Sequence, residues 1–343
     1  MPSLRVVDVA PTGQGQQLAD FHAVARAVDD ASSGNSAATP AAVERLIQAR
    51  LQDARAFVAY RDERPVARLL ASASRALRDE SGAAIGLLSF VESLDDAEAT
   101  RAIFDAALVW LRQQGVRRAV GPLDGDTWHR YRVNVGPFER SRFPLEPWNP
   151  PYYQRLWEGA GFVPLESYCS KWIDDVGSLL PGLQQGLERS RERGIRIRGL
   201  DRERIADELS LVHDLSSAIF RESFLYTPIE REGFLALYAG MEQLLDSELV
   251  LFAEDATGAA VGFVFAYADP AQRAVHYKTI GVLPEWRRAA AAAALSHAVY
   301  SAALRKGLPS GNHALMRVDN RSQALDQGHG EIFRRYLLYE RRL

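Results

Sequence analysis

The stretch that decides the fold reads Arg273-Ala-Val-His-Tyr-Lys-Thr-Ile-Gly-Val-Leu-Pro-Glu-Trp-Arg-Arg288, then six alanines, then Leu295-Ser-His-Ala-Val-Tyr-Ser-Ala-Ala-Leu-Arg-Lys306. Its first part is rich in β-branched and aromatic residues, which predicts a strand that ends at Pro284. Its second part is alanine-rich and predicts a helix that begins at Arg287. A strand that enters a helix through a basic turn is an anion-binding arrangement, because backbone N–H groups, the helix dipole, Arg287 and Arg288 converge there. The alternative is an alanine-rich helix that packs on a strand and binds nothing.

Length and composition place the chain among ordinary globular proteins. Its 343 residues suffice for two domains, and 47% of them are hydrophobic. A net charge of −3 argues against general nucleic-acid binding. With Cys169 as the single cysteine, no intramolecular disulfide can form, and neither a signal peptide nor a membrane-spanning apolar run is evident. We therefore expect a cytoplasmic protein without a membrane or nucleic-acid partner.

The order of predicted elements occurs twice along the chain. Each copy reads strand, two helices, hairpin, long strand, long helix, strand, helix, strand, at an offset of about 190 residues. Leu4 corresponds to Ile195, the hairpin at Phe57 to that at Val250, and the helix at Glu98 to that at Arg287. In the first copy the second helix is predicted to begin at Thr39 or Pro40. We predict an N-terminal domain over residues 1–175 and a C-terminal domain over residues 176–343.

The turn of the second copy resembles motif A of the GNAT N-acetyltransferase superfamily, which holds acyl-coenzyme A. That motif is a strand ending in Val-x-Pro, then Arg or Gln, two residues, Gly, one residue, and Gly or Ala. Here Val282-Leu-Pro284 matches, and Arg287 has the position of Arg or Gln. Ala290 and Ala292 have the two glycine positions, and Ala290 departs from the pattern because its methyl group obstructs a close phosphate approach.

The resemblance covers nearly the whole chain and implies a mixed-sheet α/β architecture of two tandem acyl-CoA N-acyltransferase folds. It implies an N-acyltransferase that takes acetyl-CoA or another acyl-CoA as donor, in the second copy, and a small-molecule amine as acceptor. The first copy is expected not to bind the donor, because its corresponding turn, residues 91–99, has four acids and neither Arg nor Gly. The implied donor contacts are Ile280, Gly281, Val282, Arg287, Arg288, Ala289, Ala290, Ala291, Ala292, Asn320 and Ser322.

Motif B of the same superfamily is a helix led by Asn, with Tyr and a closing Gly-Phe. The first copy resembles it at Asn149, Tyr152, Tyr153 and Gly161-Phe162, and Asn149 is predicted to cap the helix. The second copy has Asn320 but ends in Phe333-Arg-Arg-Tyr336. By the resemblance, Tyr336 and Tyr339 are candidate acids for the leaving thiolate; packing in the core or at the surface is their alternative role.

A second resemblance is to a group of bacterial GNAT-related proteins. It rests on Gly121-Pro122, on Asn149-Pro-Pro-Tyr-Tyr153, and on the strand His313-Ala-Leu-Met316 followed by Asn320. It supplies no substrate.

Catalysis of N-acyl transfer also needs a proton acceptor for the incoming amine. Glu254, at the end of a predicted strand, and His276, on the long strand, are the candidates, and a structural role is the alternative for each. A loop dense in polar and aromatic groups, with Asp124, Asp126, Trp128, His129, Arg130 and Tyr131, is the candidate acceptor site. No metal site is predicted, because His129 lacks a second ligand at a suitable spacing.

Two other interpretations remain open at this point. The alanines of the turn favour a non-catalytic binding or assembly module with a lost donor site. They also fit an acyltransferase that takes its acyl group from an acyl-carrier protein or an aminoacyl-tRNA. A homodimer is the assembly that we consider.

Overall fold

The computed structural model describes residues 3–9, 15–32, 54–241 and 244–343. The chain forms two compact units, one of residues 1–167 with 336–343 and the other of residues 168–335. The predicted division at 175/176 lies close to this one, but the last eight residues, assigned to the C-terminal domain, belong to the first unit. The helix predicted from Thr39 or Pro40 lies outside the described residues.

The described elements of the first unit follow the predicted order, with β6 as an additional strand. Its elements are β1 (Leu4–Val9), α1 (Gln16–Ser32), β2 (Ala54–Arg61), β3 (Arg64–Arg78), β4 (Ala84–Ser93), α2 (Ala97–Gln113), β5 (Arg118–Gly121), β6 (Val133–Gly136), α3 (Tyr153–Gly159) and the start of β7 (Val163–Ile173). The strand order is β1-β2-β3-β4-β5-β13, where β13 is the C-terminal strand Glu331–Arg342. β4 and β5 pair in parallel, because helix α2 returns the chain to the same edge.

From β8 to β12 the second unit has an order similar to that from β1 to β5, with a second helix, α6, before its hairpin. It holds α4 (Leu180–Glu192), β8 (Arg196–Gly199), α5 (Ile205–Phe220), α6 (Arg231–Tyr238), β9 (Val250–Glu254), β10 (Ala260–Asp269), β11 (Ala274–Val282), α7 (Ala291–Arg305) and β12 (Ser310–Arg317). Short 3₁₀ helices lie at Val176–Leu179, Arg202–Arg204, Pro284–Ala289 and Arg321–Asp326. The strand order is β8-β9-β10-β11-β12-β7, with β11 and β12 parallel on either side of the α7 crossover.

Each unit takes its last strand from a distant part of the sequence. β7 enters the second unit after Ser167 and pairs antiparallel with β12 from Tyr168 to Ile173. β13 enters the first unit at Tyr336 and pairs antiparallel with β5, Tyr339 opposite Gly121 and Arg342 opposite Arg118.

The core of each unit lies between its sheet and its crossover helix. In the first unit, α2 buries Ile103, Phe104, Ala107, Leu108 and Leu111 against the sheet, at the spacing of one helix face. In the second unit, α7 buries a similar face, with Leu295, Val299, Ala302 and Ala303.

Elements of the second half of the chain differ from the sequence predictions, which include a helix over 232–245 and a broken helical region over 320–335. The helix predicted from Arg287 begins at Ala291, because residues 284–289 form a 3₁₀ turn first. The predicted helical region 320–335 ends as a 3₁₀ helix at Asp326, and the chain is extended from Glu331, because the β13 ladder supplies hydrogen bonds that local propensity does not foresee. Helix α6 ends at Tyr238, and the predicted end at Leu245 is wrong.

Candidate functional site

The two parallel strands of the second unit separate partway along their length. Their pairing runs from Ala274 opposite Ser310 to Tyr277 opposite His313 and stops there. Lys278 is an extra residue in β11, since Phe265 of β10 pairs with Thr279 and Ala266 pairs with Tyr277. β12 has its own irregularity at Leu315, whose φ is 60°. We call the opening past Tyr277 and His313 the fork.

Backbone N–H groups of β11 point into the fork. The N–H of Leu283 donates to the Val261 carbonyl beside β10 at 2.9 Å. Because successive N–H groups of a strand point to opposite sides, those of Ile280 and Val282 point away from β10, toward β12. The register gives neither residue a partner on β12. Two backbone donors therefore line the fork, at two of the three strand positions that the resemblance implies. The third, Gly281, presents its N–H to β10.

The turn after β11 presents two free cations. Arg287 and Arg288 lie in the 3₁₀ turn Pro284–Ala289, are exposed, and form no hydrogen bond or ion pair with any residue that the structure describes. Ala290 then adopts a left-handed conformation, with φ 59° and ψ 22°, and α7 begins at Ala291. Two guanidinium groups thus precede a helix N-terminus, which favours an anionic ligand.

The alanines of α7 have a packing role as well. A Cβ atom added to Gly186 of α4 would lie 2.5 Å from the Cβ of Ala293 and 4.0 Å from that of Ala290. Helix α4 therefore approaches the first turns of α7 closely, which only small side chains allow. The two interpretations of this stretch are therefore compatible: the basic turn suits an anion, and the alanines that follow it pack against α4.

The apex of the fork is closed by a buried polar pair. The Tyr300 hydroxyl of α7 and the His313 Nε2 of β12 share a hydrogen bond, with their rings stacked at 6.2 Å. Burial lowers the pKa of His313 to about 4, so the imidazole is neutral at physiological pH. This is the histidine of the His-Ala-Leu-Met strand, and it packs the fork rather than facing solvent.

Asn320 and Ser322 lie beyond the end of β12. The Asn320 side-chain oxygen accepts the Ser322 N–H at 2.9 Å and caps the 3₁₀ helix Arg321–Asp326. Their role as donor contacts stays a prediction.

Both candidate bases of the second unit are held by structural partners. His276 is fully buried: its Nε2 lies 3.2 Å from Asp269 and its Nδ1 2.9 Å from the Asn312 amide nitrogen. Glu254 accepts from Arg196 at 2.6 Å and from Arg198 at 2.5 Å. Burial opposes ionisation of Glu254, but the two guanidiniums outweigh it and hold the pKa of that carboxyl below its ordinary value. These contacts favour structural roles for both residues.

The candidate acids Tyr336 and Tyr339 belong to the first unit, whereas the basic turn belongs to the second. Both are fully buried; the Tyr336 hydroxyl donates to Glu146 at 2.6 Å and that of Tyr339 donates to Glu158 at 3.2 Å. Burial and the Glu158 carboxylate raise the pKa of Tyr339. This environment fits their alternative role, packing.

The first unit has a corresponding fork, and its own chain fills it. β4 and β5 pair only from Ile85 opposite Arg118 to Leu87 opposite Val120. Beyond that, the Leu123 N–H donates to the Leu88 carbonyl at 2.9 Å. The Phe90 N–H, on a residue with φ 51°, donates to an Asp124 carboxylate oxygen at 2.7 Å. The Phe90 N–H, a backbone donor of this fork, is therefore satisfied by the unit's own chain.

Charged side chains lock this filling segment in place. Arg130 bridges Asp124, at 3.1 Å, and Glu92, at 2.5 Å, and Arg68 donates to Glu92 at 2.5 Å. Burial of Glu92 opposes its ionisation, but Arg68 and Arg130 outweigh it and lower its pKa to about 2. Of the predicted acceptor residues, Asp124 and Arg130 thus serve as a buried ionic lock.

The rest of that loop is organised by Asp126. Its carboxylate accepts the N–H groups of Trp128 at 2.9 Å and His129 at 3.1 Å, and lies 2.7 Å from His129 Nδ1. Trp128, His129 and Tyr131 are half-buried. Acceptor binding by this loop stays a prediction.

Acids of the turn 91–99 are also engaged. Asp96 caps α2 by accepting the Ala99 N–H at 2.9 Å and pairs with Arg61, which also binds Glu98 at 2.8 Å. That the first unit does not bind the donor stays a prediction, with which these contacts agree.

The predicted cap at Asn149 is wrong. Helix α3 begins at Tyr153 with Tyr152 as its N-cap residue and without a side-chain cap. Asn149 instead accepts the Asn134 N–H at 2.7 Å and donates to the Asn134 carbonyl at 3.0 Å. Its amide group satisfies the backbone N–H and carbonyl of a β6 residue and does not cap the helix. The helix starts after the two prolines.

Comparison with known proteins adds two curated relatives. No protein-family model matches the chain. Protein YghO of Escherichia coli (strain K12) is 21% identical over 200 residues, which are 58% of this chain and 51% of that protein. A bacterial ceramide synthase of Caulobacter vibrioides is 25% identical over 209 residues, 61% of this chain and 54% of that protein. The chain thus matches about half the length of these relatives.

Solved structures match over the whole chain. A tandem GNAT protein from the clavulanic acid biosynthesis pathway superposes on 99% of this chain and 98% of its own, with a TM-score of 0.52 and 15% identity. In the described part of the chain, no helix is both long and apolar enough to cross a membrane. By this superposition, the chain has the fold of the GCN5-related N-acetyltransferase (GNAT) superfamily, in the tandem form.

Proposed function

We propose that the protein is an N-acyltransferase that moves an acyl group, acetyl in the simplest case, from acyl-CoA to the amine of a small molecule. The donor binds in the second unit. The observation that carries the proposal is the open fork of that unit, where the N–H groups of Ile280 and Val282 lack strand partners, next to the free guanidiniums of Arg287 and Arg288.

The geometry suits the parts of an acyl-CoA. Its pantetheine arm and thioester carbonyl need hydrogen-bond donors along an extended strand, which the fork offers. Donors fixed by the backbone polarise the thioester carbonyl without reorganisation as charge develops on its oxygen. Arg287, Arg288 and the start of α7 suit the pyrophosphate.

The Caulobacter relative supports the class of reaction. A ceramide is an amide of a long-chain amino alcohol, so a ceramide synthase forms an amide bond on an amine. Because the chain matches only about half of that protein, the relative supports N-acylation here and leaves the acceptor to experiment.

The competing interpretations differ in the donor. Ala290 carries a methyl group where the resemblance implies glycine, which favours an acyl-carrier protein, an aminoacyl-tRNA or a lost donor site. The free arginines and unpaired strand donors favour acyl-CoA. A site that no longer binds a donor does not require an open fork beside two uncompensated cations.

Calorimetric titration with CoA and acetyl-CoA tests the donor site. The native chain should bind both, and the double variant Arg287→Met/Arg288→Met should bind at least about tenfold more weakly, since charge-assisted contacts to phosphate are lost. Arg112→Met/Arg117→Met removes two exposed arginines from the first unit and is the matched control. Absence of binding to the native chain, or equal weakening in both double variants, would refute the donor assignment.

Thiol release from acetyl-CoA and from a long-chain acyl-CoA then tests the reaction, with a panel of amines that includes a long-chain amino alcohol. Amine-dependent release is the expected result. If CoA binds but no amine in the panel and no alternative acyl donor supports transfer, the non-catalytic interpretation replaces this one.

A further inference from the structure

Strand β11 has a donor face and an opposite face. On the donor face, the Tyr277 hydroxyl donates to the Ser296 carbonyl of α7 at 3.4 Å, and Ile280 packs in the cluster that contains α7. On the opposite face, a Cβ atom added to Gly281 would lie 3.0 Å from Ile219 of α5. A nucleophile that attacks a thioester held in the fork has to approach from the face that α7 does not cover.

Lys278 stands on that opposite face. Its side chain is exposed, yet its ammonium donates to the Tyr238 hydroxyl of α6 at 3.1 Å. It also lies 5.2 Å from the ring centroid of Tyr238 and 5.6 Å from that of Phe265. Tyr238 is itself buried against Phe234 and Phe265. The aromatic side chains therefore hold the ammonium in a defined place.

In the described part of the chain, no carboxylate neutralises this cation. Among the residues that the structure describes, Lys278 forms no ion pair, and its polar contact is the neutral Tyr238 hydroxyl. By contrast, Lys171 and Lys306 pair with acids in the same unit, with Asp326 at 2.7 Å and Asp246 at 2.9 Å. An uncompensated cation that is held in a defined place attracts an anion from solution.

The cation is also close to the reacting centre. Lys278 precedes Ile280 by two residues, which is about 7 Å along a strand, and a lysine side chain spans about the same length. The ammonium is thus within reach of a molecule whose amine attacks a thioester carbonyl bound at the Ile280 N–H.

We propose that Lys278 recognises an anionic group, carboxylate or phosphate, on the acceptor amine, and that Tyr238 positions Lys278. The inference rests on the proposed N-acyltransferase function and names the class of its acceptor. An acceptor with both an ammonium and an anion gains the attraction of the anion to Lys278.

Matched acceptors test this recognition. The pairs are phenylalanine with phenylalanine amide, and phosphoethanolamine with ethanolamine, so each pair differs by one anionic group. For the native enzyme, kcat/KM should be higher for the anionic member. Lys278→Met should lower kcat/KM for that member about tenfold or more and leave its neutral partner within about twofold, because one charge-assisted contact is lost. The pair with the larger preference for its anionic member shows whether the site recognises a carboxylate or a phosphate.

Two further variants separate recognition from general damage. Tyr238→Phe removes the hydroxyl that holds the ammonium and should raise the KM for the anionic acceptor with little change in kcat. Arg288→Met should raise the KM for acyl-CoA and preserve the preference between pair members.

Equal loss for both members in Lys278→Met, or a native preference for the neutral members, would overturn the inference. If no transfer occurs, calorimetric binding of the four amines in the absence of donor tests the anion site instead. An anion preference that Lys278→Met abolishes then supports the site while the proposed function fails; no preference refutes the site.

Discussion

At the scale of single residues, Ala290 has a backbone conformation that is unfavourable for its residue type. A left-handed conformation costs a non-glycine residue about 1–2 kcal/mol, because Cβ crowds the following carbonyl. Ala290 adopts it, with φ 59°, between the 3₁₀ turn and α7. The resemblance implies glycine at this position. Glycine would suit both the left-handed backbone and the close approach of a phosphate.

Replacing Ala290 by glycine should therefore stabilise the protein. Relief of strain should outweigh the added entropy of the unfolded chain, so we expect the free energy of unfolding to rise by about 0.5–1 kcal/mol in urea titration. The same change at Ala298, inside α7, should lower it by about 1 kcal/mol. Destabilisation by Ala290→Gly as large as that by Ala298→Gly would show that the left-handed turn is not strained.

Individual site residues were predictable only where local sequence encodes local structure. The Val282-Leu-Pro284 pattern and Arg287 mark the end of β11 and the basic turn, and the structure places both there. The Lys278–Tyr238 contact carries no such signal, since it joins residues forty positions apart. The sequence marks Asp124 as a polar loop residue, but its partner, the Phe90 N–H, depends on a bulge that the sequence does not mark.

At the scale of elements, α4 and α7 form a helix pair that depends on small residues. The Cβ–Cβ separation of 2.5 Å that Gly186→Ala would create at Ala293 is shorter than real contacts allow. Helix α4 would have to move away from the first turns of α7, which costs about 1–3 kcal/mol in a packed interface.

We expect Gly186→Ala to lower the free energy of unfolding, although alanine is the better helix former. Adding Ala293→Gly restores the space but itself costs about 1 kcal/mol in helix propensity, so the double variant should be no less stable than Gly186→Ala alone, and a double-mutant cycle should give a coupling of about 1 kcal/mol or more. Gly233→Ala in α6, where the added Cβ meets only ordinary contacts at 3.4 Å, should stabilise. Additive single effects would rule out the close helix contact.

Predictions of elements are right where local sequence stabilises the element and wrong where strand pairing does. The sequence predicts a strand over Val163–Ile173 and a helix over Ile205–Phe220. Strand β7 and helix α5 have these bounds, because periodicity and flanking residues mark both ends. Residues 331–335 read as helical yet extend β13, because strand pairing overrides weak local preference.

At the scale of the whole molecule, the exchange of terminal strands decides what each unit contains. The doubled element order predicts two domains, but it cannot show which strand closes which sheet, because β13 pairs with β5 over more than two hundred residues of sequence. The side chains of this segment belong to the core of the first unit: Tyr336, Leu338 and Tyr339 are fully buried, and Tyr339 stacks on Trp157 at 5.5 Å.

Deleting residues 336–343 should consequently unfold the N-terminal unit and leave the other one folded. Burial of each large apolar side chain contributes about 1.5–3 kcal/mol, so the loss of three, together with the Arg118–Glu340 ion pair at 2.5 Å, approaches the whole stability of a typical domain. Hydrogen exchange read by mass spectrometry should show protection lost in β4, β5 and α3 and retained in β10, β11 and α7. Tyr339→Phe in the full chain keeps the strand and the stack and should preserve protection in both. Protection lost first in β11 and α7, or equally everywhere, would mean that the C-terminal strand does not belong to the fold of the first unit alone.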